Sequence, residues 1–345
     1  MTIQDVANHA GVSITTVSHV LSGRGRVATE TRERVLTSAR TLRYRANIHA
    51  QQLMTRRSRT LAVQIANSVE ASGSCSLVPN SEYFLEVLNG AAEIANERSY
   101  ALLLASPTST PATLAGFAVD GVILVDPTGE EAWFSSPVKP KPPIVTTGRP
   151  IVKQRRPLVT VDNDLEAAAM QMLDHLWEQG YRDPAFITTE TTRSYTWDLT
   201  QGYRRWVAER RLRERVIEIA EQPTLDDAGQ ALASLLDSPR PPDSVFTSAE
   251  NLALGALHEA RWREISVPGQ LGICSAVDSG SLQLTSPAIT GMYVHPRAVG
   301  RNAASALIDL IEEVGQPPRT IAIPVDLNVR ASTVRKAQGT PSTEK

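Results

Sequence analysis

From about residue 60 to residue 335 the chain repeats one alternation, a short apolar run followed by a longer amphipathic stretch. The apolar runs are LAVQIA (61–66), ALLLAS (101–106), GVILVD (121–126), IVTTG (144–148), LVTVD (158–162), AFITT (185–189), SVFTS (244–248), LGICSA (271–276) and ITGMYV (289–294). Each is strand-length and apolar on both alternating faces, which suits a strand covered on both sides. Between most of them lie stretches such as FLEVLNGAAEIANERS, EAAAMQMLDHLWEQG and NLALGALHEA, whose apolar residues recur at helical spacing. Buried strands separated by helices imply parallel sheets flanked by helices, an α/β fold. A block of roughly 280 residues is large for one such sheet, so two lobes are expected.

The first 57 residues follow a different pattern, three short helices with start and stop signals in place. Thr2 and Asp5 have the spacing of a capping box, and Val6, Ala7 and Ala10 give one apolar face. Gly11 ends that helix, because glycine adopts the left-handed conformation without steric cost. Ser13 is a suitable N-cap for a second helix whose Val17, Val20 and Leu21 point inward, with Ser22-Gly23 at its end. A third starts near Thr29 and carries Val35, Leu36, Ala39 and Leu42 on one stripe. Two helices joined by a short turn around a glycine are the helix-turn-helix arrangement, whose second helix enters the DNA major groove. Periodicity alone leaves an ordinary helical hairpin equally open.

Charge bears on that choice. Residues 1–60 hold ten arginines and no lysine against Asp5, Glu30 and Glu33, a segment charge of +7. The whole chain is −2, so the remainder is −9. A basic head on an acidic body fits a domain built for a polyanion, although a solvated charged face gives the same count. The second helix leaves Ile14, Thr15, Thr16, Ser18, His19 and Ser22 outside its apolar stripe. These side chains suit a groove of about 12 Å. Ile14 can meet a thymine methyl, Thr15 a base edge or phosphate, and His19 a guanine acceptor; a simple solvent-facing role for His19 stays open.

The residues of the head settle what periodicity does not. The run TIQDVANHAGVSITTVSHVLSGRGRVATETRERVLTSARTLRYRAN closely resembles the head of the lactose/galactose repressor (LacI–GalR) family of transcription regulators. DVA…AGVS, TTVSHVL, TRERV and L-x-Y-x-x-N stand in that family's order and spacing over some 45 residues. The resemblance implies that Ile14, Thr15 and His19 occupy base-reading positions. It places Thr16, Ser18, Arg32, Tyr44 and Asn47 at phosphate-positioning ones, which fix register without reading sequence. In the next segment, NIHAQQLMTRR, it implies a hinge helix that folds on DNA, pairs with its twin and wedges a leucine into the minor groove. Ala50, Leu53 and Met54 hold the matching positions, and a leucine between base steps bends the duplex.

The body resembles the same family less tightly, through FLEVLNGAAEIANERSYALLL, VDGVILV, DHLWEQGYRDPAFIT, LALGAL and P-x-x-VGRNAASALIDLI. The implied organisation is a helix-turn-helix domain at 1–45, a hinge at 46–58, and a two-lobed, periplasmic-binding-protein-like body at 59–335. The N-lobe takes 59–157 and 291–318 and the C-lobe 160–288 and 321–334, with the effector cleft at the crossings. The tail 336–345 is polar and without apolar heptads.

The cleft departs from the family's sugar-sensing pattern. Ala249 and Glu250 stand where an Asn-Asp pair is usual, and Ser275, Ala276, Val277 and Asp278 replace G-F-D-D. A common glutamine falls near Val294, and the arginine expected before Gly202 is replaced by a region of Tyr195, Trp197, Asp198 and Leu199. Sites for sugar hydroxyls need polar partners, since an unpaired buried group costs about 1–3 kcal/mol. The effector is therefore expected to be more apolar or aromatic than a simple sugar, using Tyr83, Phe84, Tyr195 and Trp197 with Asp126, Asn163, Asp198 or Glu250 as polar groups. Plain core packing is the competing role for each aromatic. In Asp162-Asn163-Asp164 a helix N-cap is preferred to a metal site.

Other classes fit less well. No GxSxG, GxGxxG, P-loop or HExxH pattern occurs, and His9, His19 and His49 all lie in the head, so no enzyme and no cofactor are expected. A transporter's solute-binding module would need an export signal, and the N-terminus lacks the basic-then-apolar pattern of one. No apolar run reaches the roughly 18 residues of a membrane span. Cys75 and Cys274 are far apart, in no metal-binding spacing, as suits a reducing cytoplasm. The expectation is a dimeric repressor binding a near-palindromic operator under an unidentified small-molecule effector. The alternative is DNA binding with a degenerate cleft and no effector.

Overall fold

The computed structural model describes residues 1–22, 27–44, 57–66, 82–135, 142–152, 154, 157–190, 193–220, 223–315 and 317–335. The chain divides into two compact units, Met1–Arg59 and Thr60–Lys345.

The first unit holds α1 (Ile3–Ala10), α2 (Ile14–Ser22) and α3 (Thr29–Thr41). The Thr2 capping box forms, with the Asp5 carboxylate accepting from the Thr2 amide at 2.7 Å and the Thr2 hydroxyl from the Asp5 amide at 3.3 Å. Gly11 closes α1 at φ +64°, where a β-carbon would be strained. The Ser13 hydroxyl accepts from the Thr16 amide at 3.1 Å and starts α2. Val6, Ala7, Ala10, Val17, Val20, Val35 and Ala39 are buried together, with Leu21, Leu36, Leu42 and Tyr44 packed around them. The Arg34 Nε donates to the Ala10 carbonyl at 3.0 Å, filling an orphan acceptor at the end of α1.

The second unit is two six-stranded sheets. The first contains β1 (Thr60–Ile65), β2 (Ala101–Ala105), β3 (Gly121–Val125), β4 (Ile144–Thr147), β5 (Val159–Asn163) and β11 (Thr320–Ile323), in the order β11-β5-β4-β3-β1-β2 and parallel throughout. The second contains β6 (Pro184–Thr189), β7 (Val216–Ile219), β8 (Ser244–Thr247), β9 (Gly272–Ser275), β10 (Thr290–Tyr293) and β12 (Asp326–Asn328), in the order β12-β10-β9-β8-β6-β7 with only β12 antiparallel.

Helices cover both sheets. In the first lobe α4 (Glu82–Glu97) packs on α12 (Pro296–Glu312) over one core, while the short α5 (Pro111–Leu114) and α6 (Ala132–Ser135) lie between strands. The α4–α12 approach is a backbone contact. A β-carbon on Gly90 would stand 2.0 Å from the Arg297 carbonyl oxygen, and one on Gly300 1.9 Å from that of Val87. In the second lobe α7 (Leu165–Glu178) pairs with α8 (Ser194–Glu209), and α9 (Leu225–Leu236) with α10 (Glu250–Trp262). The short α11 (Gly280–Gln283) follows β9.

Three crossings join the lobes, but not where the sequence reading put them. The structure keeps β5 in the first sheet, β10 in the second and β11 in the first, so the crossings fall at about 163–165, 294–296 and 323–326. Each boundary therefore lies roughly one strand later than the lobe limits of 157/160, 288/291 and 318/321. An apolar run identifies a strand but not the sheet it joins, since pairing is decided by neighbours far away in sequence. Strands β7, β11 and β12 were not among the expected runs. All three sit at sheet edges and carry exposed or half-buried positions, which mixes polar residues into them.

No helix among the described residues is long and apolar enough to cross a membrane.

Candidate functional site

Helix α2 packs its inner face on the head core and turns the other outward. Ile14 is 42% exposed, Thr15 and His19 are exposed, and Thr16 and Ser18 are half-buried, while Val17 and Val20 on the inner face are buried. The structure thus brings all three expected base-reading residues onto one exposed helix. Thr16 is already in use locally, its hydroxyl 2.9 Å from that of Ser13. Arg32, on α3, is half-buried, and Tyr44 packs against the head core. Asn47, Ala50, Leu53 and Met54 lie outside the described residues.

The second candidate is the cleft at the carboxyl ends of the two sheets, where an open α/β sheet ordinarily binds ligands. From the first lobe come Tyr83 and Phe84 at the start of α4, Asp126 after β3, and Asp162 and Asn163 at the end of β5. From the second come Tyr195 and Asp198 on α8 and Glu250 at the start of α10. Tyr83 packs against the cores of both lobes and meets Phe84 edge-on at 5.2 Å. Burial pushes the Tyr83 hydroxyl well above its ordinary range, with the charges of Asp126 and Asp162 adding to the shift. The Tyr195 hydroxyl donates to the Ser248 carbonyl, and burial raises its pKa too. Trp197 faces solvent, 45% exposed, and is not brought into the cluster.

Several expected effector groups are committed to the protein itself. The Asn163 amide nitrogen donates to the carbonyls of Val294 at 3.1 Å and Ile323 at 3.0 Å, with Pro324 at 3.4 Å. One side chain thus ties all three crossings together. Asp198 is buried and held in a bidentate ion pair with Arg149. Asp164 caps α7 by accepting from the Ala167 amide at 3.0 Å, as the N-cap reading expected.

Asp162 stands apart. Among the described residues its carboxylate accepts only from the neighbouring Asn163 amide, at 3.0 Å, and burial pushes its pKa up to about 6. Arg149 pulls in the other direction, and the charges of Asp198 and Asp126 add to the rise. The hydroxyls of Thr147 and Ser248, at the cleft ends of β4 and β8, are buried without a hydrogen-bond partner among the described residues. Native interiors rarely leave such groups unpaired.

Two arginines that sequence reasoning passed over cross the cleft. Arg149, after β4, supplies the ion pair to Asp198 in the other lobe. Arg193, just before α8, donates to the carbonyls of Asp126 at 2.8 Å and Ala66 at 3.0 Å. The available signal was position: both sit in short loops bordering a strand end or helix start, where cleft residues gather.

Comparison with known proteins places both parts. Residues 2–47 match the model of bacterial regulatory proteins, lacI family, and residues 173–333 that of the periplasmic binding protein-like domain. Catabolite control protein A of Priestia megaterium is 26% identical over 343 residues, covering 96% of this chain and 99% of that one. A solved complex of the transcriptional regulator CelR with cellobiose is 26% identical, with a TM-score of 0.68 over 96% of this chain and 99% of the other. The lac repressor dimer bound to operator and an anti-inducer shares the fold at a TM-score of 0.74 and 18% identity, over 97% and 99% of the two chains. These relatives are transcription regulators rather than enzymes. The chain thus joins a lacI-family helix-turn-helix head to a two-lobed periplasmic-binding-protein-like body, the architecture of the LacI–GalR DNA-binding transcription regulators that it resembles.

Proposed function

We propose that the protein represses transcription as a homodimer on a near-palindromic operator, under the control of a small molecule bound between the lobes. The observation that carries the DNA-binding part is α2, with Ile14, Thr15 and His19 exposed on one side and Val17 and Val20 anchored on the other. Ile14, Thr15 and His19 then read base edges, while Thr16, Ser18, Arg32, Tyr44 and Asn47 position the head on phosphates. A twofold dimer imposes a twofold site. Ala50, Leu53 and Met54 are assigned to the minor groove on resemblance.

For the effector, the buried unpaired hydroxyls of Thr147 and Ser248 and the weakly partnered Asp162 support a ligand that meets both lobes with polar groups. Tyr83, Phe84 and Tyr195 border the same region, with Asp126 and Glu250 at its edge. Asn163 and Asp198 already serve the protein, which leaves fewer groups for a ring of hydroxyls and favours a more aromatic ligand than a simple sugar. Coupling of effector to DNA in such proteins is typically about 1–3 kcal/mol.

Selection of bound duplexes from a random pool tests the DNA reading. Enrichment of a palindrome, with binding that weakens steeply as salt rises, is expected. Salt-sensitive binding with no enriched sequence, in the presence of cell metabolites, would refute it. Calorimetry showing tight binding of an unmodified monosaccharide would refute the effector reading.

A further inference from the structure

The lobes are joined by two kinds of bond. One kind belongs to the crossings: Asn163 on the Val294 and Ile323 carbonyls, and His295 Nε2 with the Asp326 carboxylate at 2.8 Å. Rotation of one lobe against the other about these crossings leaves such bonds nearly intact. The other kind spans the cleft away from the crossings. Arg149 of the first lobe grips Asp198 of the second, and Arg193 of the second donates to Asp126 and Ala66 of the first. Rotation that opens the cleft must break these.

Both arginines have a local reason to hold. Asp198 is 8% exposed, and the cation paired with its carboxylate, Arg149, comes from the opposite lobe. A buried carboxylate needs a cation and hydrogen-bond donors, and a planar guanidinium supplies both in one fork. Arg193 meets the carbonyls of Ala66 and Asp126, one residue past the Ile65–Val125 pair that ends the adjacent strands β1 and β3. Such strand-end acceptors need a donor when shielded from water. The two arginines run in opposite directions, so each lobe gives a cation and receives one. Glu82 at the start of α4 adds a tie of the same sense, its carboxylate accepting from the Gly280 amide at 2.9 Å.

We propose that Arg149 and Arg193 form an interlobe latch that favours the closed arrangement of the body by the chain's own side chains, without requiring an effector to bridge the lobes. An effector then acts on a cleft already drawn together, and it tunes closure by competing with or reinforcing these bonds. The proposal builds on the cleft assigned above, but lobe separation can be read directly, so its failure is separate from failure of the DNA or effector readings.

The test measures the distance between spin labels on the two lobes of the full chain. Labels go on Asn96→Cys of α4 and Gln230→Cys of α9, both exposed, with Cys75→Ser as background and the buried Cys274 retained. Labelled chains are diluted into unlabelled protein. Arg149→Asp, Asp198→Arg and Arg193→Gln are each expected to shift the distribution to longer distances. The combined Arg149→Asp/Asp198→Arg chain is expected to return it, because the pair is restored with its charges exchanged. Arg149→Gln, which removes the charge without introducing an opposite one, serves if Arg149→Asp melts early. Unchanged distributions in folded Arg149→Gln and Arg193→Gln would overturn the latch. So would a charge exchange that stays open in a chain melting like the wild type.

Discussion

Replacing Asp162 by Asn should stabilise the body, and the gain should depend on pH in a defined way. In the folded protein the carboxyl titrates near 6, pushed up first by burial, against an ordinary value of 3.8. Below pH 3.8 both folded and unfolded chains carry it protonated and no penalty exists. As pH rises through the interval from 3.8 to 6 the unfolded chain ionises and the folded one does not, so stability falls. Above pH 6 the penalty is complete, about 3 kcal/mol for a shift of about two units. Residual solvent contact and relaxation reduce that to about 2 kcal/mol. At pH 4.5 only about 1 kcal/mol should remain. Asparagine keeps the acceptor for the Asn163 amide and removes the charge. Urea unfolding of both full-length chains, followed by tryptophan fluorescence at pH 7.5 and 4.5, reads the difference. An equal gain at the two pH values, or none at pH 7.5, would show that Asp162 is not a penalised carboxylate. A confirmed gain would mean that the cleft retains a charge at the expense of stability, as functional sites commonly do.

Three further outcomes follow from named contacts. Gly300→Ala should cost about 3 kcal/mol or more in urea unfolding, because its β-carbon would stand 1.9 Å from the Val87 carbonyl oxygen and α4 would have to move; wild-type stability would contradict the backbone contact. His175, 8% exposed and 2.8 Å from the Thr333 hydroxyl, has its pKa lowered by burial. Its contribution should therefore be lost as pH falls below about 6.5, the reverse of Asp162, and the stability difference between wild type and His175→Gln should change with pH in that interval. At the DNA, Arg32→Ala should lower affinity for all sequences alike and flatten the salt dependence by about one unit, whereas Thr15→Ala should change the preferred base at one position and leave the salt slope alone; binding assays at several salt concentrations that gave the reverse pattern would exchange the two assignments.

What could be read in advance divides along a physical line. Local signals were legible: the Thr2 capping box, the Gly11 stop and the Ser13 cap all form, since each depends on residues within four positions of one another. Central strands were legible as well, because burial on both faces leaves an uninterrupted apolar run such as GVILV. Of the edge strands only the apolar β2 (ALLLA) was, since β7 (VIEI), β11 (TIAI) and β12 (DLN) mix in polar residues at half-buried or exposed positions and take their identity from a neighbour. The same limit governs the cleft. Tyr83 and Tyr195 were singled out by type, and both pack against the core of the second lobe. Nothing local marks Asn163 as the donor that ties three crossings, or Arg149 as the partner of Asp198 forty-nine positions away. Both facts depend on where the second sheet sits against the first. Arg149 reaches Asp198 from the opposite lobe, so the chemistry of such a cleft has to be counted across both lobes rather than along either.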